Sequence, residues 1–244
     1  MVIGRTPEAA YWEFFRADRA KDARAWAAVM SYPHVRVAAT GRVEFFQSAE
    51  EFAAAASWTE REATGWVRTE GISPKTIQTT HDKIHLAGGW VRYNAENQAI
   101  LSNRVVYVLT KLQDTWGVQA RFACGASDVW QDVADEETRN VVRGFLQRLK
   151  AGDVIACTRL VRYPFIVVEM GTVHRFKDEA SFGRTLPILN LTPAEISDVS
   201  VVQNGKRGAN IAVSFHSKTR YENNAIFLAD RREGTYRIAS VSTI

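Results

Sequence analysis

The sequence predicts an α+β protein in which one fold is used twice, and three observations predict it. The stretch Ser31 to Phe52, SYPHVRVAATGRVEFFQSAEEF, returns between Arg162 and Phe182 as RYPFIVVEMGTVHRFKDEASF. Tyr32-Pro33 recurs as Tyr163-Pro164, 131 positions on, while Gly41, Phe46 and Phe52 recur as Gly171, Phe176 and Phe182, 130 positions on, so one residue is lost before the glycine. In both copies apolar residues at helical spacing precede the repeat and β periodicity follows it. A chain of 244 residues then divides into halves of normal domain size, expected at 1–125 and 135–244.

Each element has a local reason. Thr6-Pro7 is a capping hydroxyl followed by proline at the first helical position, and Tyr11, Phe14, Phe15 and Asp18 then share one side of a helix expected to end near Arg19. Asp22 caps a second helix that buries Ala25, Trp26, Val29 and Met30, and Pro33 ends it. In the second copy Asp135 is the expected cap of a helix carrying Val142, Phe145, Leu146 and Leu149; Gly152 breaks it and Asp153 caps the next. His34 to Val37 and Phe165 to Val168 read as strands, the glycine turns each chain back, and Val43 to Phe46 or Val173 to Phe176 returns as hairpin partner. Ser48-Ala49-Glu50-Glu51 has the form of a capping box for a third helix, with Asp178 as its counterpart.

Both copies then become β-rich. Strands are expected near Lys75 to Thr80, Ile84 to Tyr93, Leu101 to Leu112 and Thr115 to Cys124, and near Ile196 to Gln203, Ala209 to Thr219, Asn224 to Ala229 and Tyr236 to Ser242. Thr115-Trp116 matches Thr235-Tyr236 at an offset of 120, so the first copy carries ten extra residues before its last strands. Gly88-Gly89 suggests a bulge that bends the sheet. The linker, about Gly125 to Asp135, is short enough that the halves should pack together.

Hydrophobic residues make up 46% and charged residues 24%, a globular balance that excludes a disordered chain. The net charge of +4 comes without any run of lysine or arginine, so no nucleic-acid partner is expected. No segment approaches the roughly 18 apolar residues of a membrane span, and the opening MVIGRTPEAAYWEFF has no signal-like apolar core, so a cytoplasmic protein without a membrane partner is expected. Cys124 and Cys157 form no CxxC and have no paired histidines nearby, so buried thiols are expected, with no metal and no cofactor.

The element order, with the YP segment, glycine and two phenylalanines after the second helix, resembles the nuclear transport factor two-like superfamily, which includes ketosteroid isomerase and polyketide cyclases. The resemblance covers nearly the whole chain, twice. It implies two cone-shaped repeats, each with three N-terminal helices on a curved antiparallel sheet around an apolar cavity, paired through their sheets as an intrachain pseudo-dimer. The chain would be a monomer of that kind or a weak homodimer. The resemblance also implies an oxyanion tyrosine on the first helix and a base near the end of the first strand in the isomerase. Those positions fall at Phe14 and Phe145, and at Ala38 or Ala39 and Glu169, so the isomerase pair is assembled in neither half.

Two features remain as candidates. His34 follows Tyr-Pro, could exchange protons near neutral pH, and is replaced by Phe165 in the second copy, although a hydrogen-bonded structural role is the alternative. All seven tryptophans, Trp12, Trp26, Trp58, Trp66, Trp90, Trp116 and Trp130, lie in the first half or the linker, which points to an aromatic-walled pocket there. Tyr11, Trp58 and Trp90 are the expected walls. His81-Asp82-Lys83-Ile84-His85 is not a zinc motif, because histidines four apart on extended chain lie about 13 Å apart. The functional expectation is a pocket for a small apolar or aromatic molecule in the first half. Any chemistry would be cofactor-independent proton transfer of isomerase, cyclase or dehydratase type. A non-catalytic binding or scaffold module is the alternative.

Overall fold

A computed structural model describes residues 5–127, 135–186, 193, 195–216 and 223–244. The first half runs α1 (Pro7–Ala20), α2 (Ala23–Ala28), β1 (Met30–Ala38), β2 (Val43–Phe46), α3 (Ala49–Ala55), α4 (Thr59–Glu62), β3 (Arg68–Gly71), β4 (Lys75–Thr79), β5 (Lys83–Tyr93), β6 (Ala99–Leu112) and β7 (Thr115–Ala123). The second runs α5 (Asp135–Lys150), α6 (Val154–Arg159), β8 (Val161–Glu169), β9 (Thr172–Phe176), α7 (Glu179–Thr185), β10 (Glu195–Asn204), β11 (Gly208–His216), β12 (Asn223–Arg232) and β13 (Thr235–Thr243).

Matching caps set matching helices. The Thr6 hydroxyl accepts from the Ala9 amide ahead of Pro7, and Asp22 and Asp153 accept from Ala25 and Ala156. Lys21 and Gly152, themselves 131 apart, share the left-handed turn between the first two helices, with φ of 53° and 74°. Asp178 and Ser181 close a capping box. Ser48 caps α3, but the Glu51 carboxylate accepts from the Gln47 amide instead of the Ser48 amide, so the box expected there is not closed. Asp135, expected as a cap, is the first residue of α5. Both Tyr-Pro bonds are cis, and Pro33 lies inside β1, where the register against β7 shifts, instead of preceding the strand.

The sheets have the same strand order. The first is β2-β1-β7-β6-β5-β3, with β4 also on β5; the second, read from the same end, is β9-β8-β13-β12-β11-β10. All neighbours are antiparallel except β1 with β7 and β8 with β13, so each expected antiparallel sheet attaches its hairpin through one parallel pair. The extra residues of the first half include α4 and the break between β3 and β4, which pair with opposite ends of β5. The expected bulge is not at Gly88-Gly89, whose pairing with Val105 and Arg104 is continuous. A Cβ at Gly88 would stand 2.5 Å from the Tyr11 hydroxyl, so close approach of α1 demands the glycine.

Alternation along the strands sends one set of side chains under the helices and the other outward. The outward sets meet: Val35, Val37, Val106 and Phe122 pack with Ile166, Val168, Ile226 and Leu228 in one buried layer between the sheets. Each such aliphatic side chain is worth about 1.5–3 kcal/mol when removed from water. Polar pegs cross the layer: Lys83 Nζ donates to the carbonyls of Val168 and Thr243 at 2.9 and 2.7 Å, and Gln78 donates to those of Val213 and Ala225. This is an intrachain pseudo-dimer. Cys157 sits in the core of the second half and Cys124 under Gly205; both are buried and neither forms a disulfide. Among the described residues, no helix is long and apolar enough to cross a membrane.

Candidate functional site

The inner face of the first sheet and the helices above it enclose a cavity of about 490 Å³. Strand alternation fills it with charge. Val35 and Val37 face the interlayer, so Arg36 between them points inward; Ala120 and Phe122 force the same on Arg121. These two arginines are register partners on the parallel pair β1 and β7. Arg92 of β5 and Arg61 of α4 also line the space, together with Phe14, Phe52, Trp26 and Trp90.

Aromatic faces hold each guanidinium. Arg36 lies 4.8 Å from the Trp26 ring centre and 4.7 Å from that of Phe52. Arg92 is 4.4 Å from Trp90 and Arg121 is 4.9 Å from Phe14. Such contacts orient a cation without neutralising it. Neutralising groups are few. Asp18, only 3% exposed, accepts from Arg61 at 2.6 Å and from the Trp58 indole at 3.0 Å. Glu44 lies 2.9 Å from Arg42 and 3.8 Å from Arg36. Among the described residues, Arg36 Nε and Nη2, Arg92 Nε and Arg121 Nε are buried with no hydrogen-bond acceptor.

Burial, then the neighbouring Arg121, pulls Arg36 down to about 9, against the pull of Glu44; burial, then Arg61, pulls Arg92 down to about 10. Both shifts leave the guanidinium charged at neutral pH. Like charges crowd the cavity, and Glu44 and Asp18 offset them only in part.

The residues singled out from sequence are placed as follows. His34 is fully buried and does not line the cavity; its ring packs on Phe46 and Phe52, with centroids 6.2 and 5.7 Å away. Its Nδ1 is 2.8 Å from the Val118 carbonyl, which makes that nitrogen the donor, and Nε2 has no partner. Burial first, and then Arg36, hold its pKa well below the ordinary histidine value. Tyr11 is also buried, its hydroxyl donating to the Ile72 carbonyl, and burial raises its pKa. Trp58 stands behind the cavity, stacked on Trp26 at 5.7 Å, whereas Trp90 is a wall. Trp130 lies outside the described residues. His81 is exposed beside Asp82, and His85 is buried between Gln78 and Ser242, so the two histidines face different surroundings.

Sequence reasoning missed the arginines. The expected apolar cavity has aromatic walls and a cationic floor. One signal was available: Arg36 and Arg121 interrupt apolar strands, and at the corresponding positions of the second half, 131 and 120 residues on, stand Val167 and Val241, which are themselves register partners.

Among solved structures, the chain is similar to a domain of unknown function with a cystatin-like fold from Nostoc punctiforme, at 15% identity over 47% of this chain and 72% of that one, with a TM-score of 0.40. It is also similar to a ketosteroid isomerase-like protein from Erwinia carotovora atroseptica (15%, 48% and 91%, TM-score 0.37) and to an NTF2-like protein of unknown function from Pseudomonas putida (11%, 47% and 88%, TM-score 0.38). No family model matches the sequence, and no curated protein does. The overlaps are loose, and the fold stands on the strand orders, hairpins and closing helices themselves. The chain is a tandem of two α+β halves that share one strand order, each sheet closed by its own helices.

Proposed function

We propose that the first half binds a small organic anion, its acidic group on the guanidiniums of Arg36, Arg92 and Arg121 and its flat or apolar body against Trp90, Phe14 and Phe52. The observation that carries this reading is the set of buried guanidinium nitrogens that face the cavity without an acceptor. A buried donor left unpaired costs about 1–3 kcal/mol, more when charged, and an anionic ligand supplies the missing partner. A cavity of about 490 Å³ is within the size range of small-molecule sites. The aromatic molecule expected from the tryptophans thus acquires an acidic head.

His34 enters this reading as a neutral support for Phe46 and Phe52. Proton transfer through it, the isomerase, cyclase or dehydratase chemistry suggested by sequence, would require its ring to reach the cavity past those two residues. A scaffold role has less support, because the two outer sheet faces already cover each other.

The test is a thermal-shift and calorimetric screen of aryl carboxylates, sulfonates and phosphates against their neutral amides and alcohols. Anions should stabilise the protein and neutral analogues should not. Arg36→Val, the residue of the second half, should abolish the difference. Equal binding of neutral analogues, or an unchanged response in the variant, would sink the reading.

A further inference from the structure

The charges around the cavity also specify how much negative charge its ligand brings, an inference that rests on the anion reading above. Five arginines line it, Arg36, Arg42, Arg61, Arg92 and Arg121, against three carboxylates, Asp18, Glu44 and Glu60, which leaves a balance of +2. The pairing pattern places that excess. Asp18 is committed to Arg61, and Glu44 is shared between Arg42 at the rim and Arg36. Among the described residues, neither Arg92 nor Arg121 has a carboxylate within ion-pair distance. Aromatic rings hold both, Arg92 on Trp90 and Arg121 on Phe14 and Tyr107.

We infer that the ligand is a dianion, a phosphate monoester or a compact dicarboxylate, whose two charges offset Arg121 together with its register neighbour Arg36 on one side and Arg92 on the other. Neighbouring strands lie about 4.8 Å apart, so the Arg36 and Arg121 side chains leave the sheet close enough to grip one acidic group between them. A monoanion would satisfy one of these cations and leave the second buried without a counter-charge, and burial of an unpaired charge is strongly disfavoured. A neutral molecule would satisfy none. Arg36 and Arg92 remain protonated through the neutral range, at about 9 and 10, so the site itself keeps its charge while the ligand titrates.

The experiment holds the aromatic body fixed and changes the head group: phenyl phosphate, phthalate, benzoate and benzamide, titrated calorimetrically into the full chain at pH 7.5. Phenyl phosphate or phthalate should bind at least about tenfold tighter than benzoate, the equivalent of one further charge-assisted contact. Whichever dianion binds tighter identifies the source of the charge. Phenyl phosphate should also weaken several-fold below its second ionisation near pH 6, while benzoate stays level. In Arg121→Val the dianion preference should fall to near unity; Arg92→Gln, which keeps a polar group, serves if the first variant does not fold by circular dichroism. Benzoate binding as tightly as both dianions, or a dianion preference that survives both variants, overturns the inference and leaves the anion site standing. Failure of every anion to bind overturns the anion site as well.

Discussion

The two halves share a backbone and differ in what they bury under it. In the first, α1 and the sheet present Asp18, Arg36, Arg121 and Tyr107 to the interior; at the matching positions of the second stand Leu149, Val167, Val241 and Phe227, all packed in one apolar cluster. His34 and Phe165 complete the series. The caps, the cis Tyr-Pro bonds, the hairpins and the phenylalanines Phe46, Phe52, Phe176 and Phe182 are common to both. Strand order and closing helices therefore do not require a cavity. Four or five side chains decide whether the cone is filled with hydrocarbon or kept open by charges that repel one another.

The comparison breaks most visibly if charge is moved into the second half. Val241→Arg puts the counterpart of Arg121 into a fully buried site within an apolar cluster, so it should cost about 3–5 kcal/mol, read as a lower urea midpoint. A loss below about 1 kcal/mol would show that the second interior is not closed and that the contrast between the halves is only one of composition. The next largest effect is expected at Asp18→Leu, again the residue of the second half. It strips Arg61 and the Trp58 indole of their shared acceptor, and each lost bond to a charged group is worth about 1.5–3 kcal/mol before relaxation. Amide exchange across Ser57–Ala63 should accelerate with it, because Asp18 ties that segment to α1. Unchanged exchange there would mean that α4 is held by other contacts.

Much of this was legible in the sequence because repetition doubles every signal. Asp22 and Asp153, or Gly41 and Gly171, each confirm the other, and the positions that report backbone geometry are those that recur. The parallel pairing of β1 with β7 was not legible, since alternation fixes which face a side chain takes but not which strand lies beside it. The arginines were passed over for a related reason. On an isolated strand an arginine between valines reads as the solvent face, and here the pseudo-dimer reverses the two faces: the valines cover the other sheet and the arginines point under the helices. The tryptophans lie in the half that carries this cavity, where cation and aromatic ring occur together, with Trp26 and Trp90 each beneath a guanidinium. Tyr11 and Trp58, expected as walls, belong to the supports instead, where Tyr11 fills the space left by Gly88 and Trp58 fixes Asp18.

The smallest effect separates the halves by titration. His34 is buried and neutral, with its pKa depressed chiefly by burial, whereas Phe165 cannot titrate. In the unfolded chain the imidazole takes up a proton near pH 6.5, and in the folded chain it does not until lower pH. Between those values the unfolded state binds more protons, so stability is full above about pH 6.5 and is lost as the pH falls below it. His85 is depressed in the same way, and Lys83, pulled down to about 7 by burial, titrates across the same window, so His34 supplies one part of the loss on the acid side. His34→Phe should therefore flatten part of the acid limb of the urea midpoint while leaving the parts from His85 and Lys83 in place. Because the ring is neutral at pH 7.5 in the folded protein, anion affinity at that pH should be unchanged in the variant. An affinity that falls with the substitution would mean that His34 supports the cavity through Phe46 and Phe52 more tightly than its place outside the lining implies.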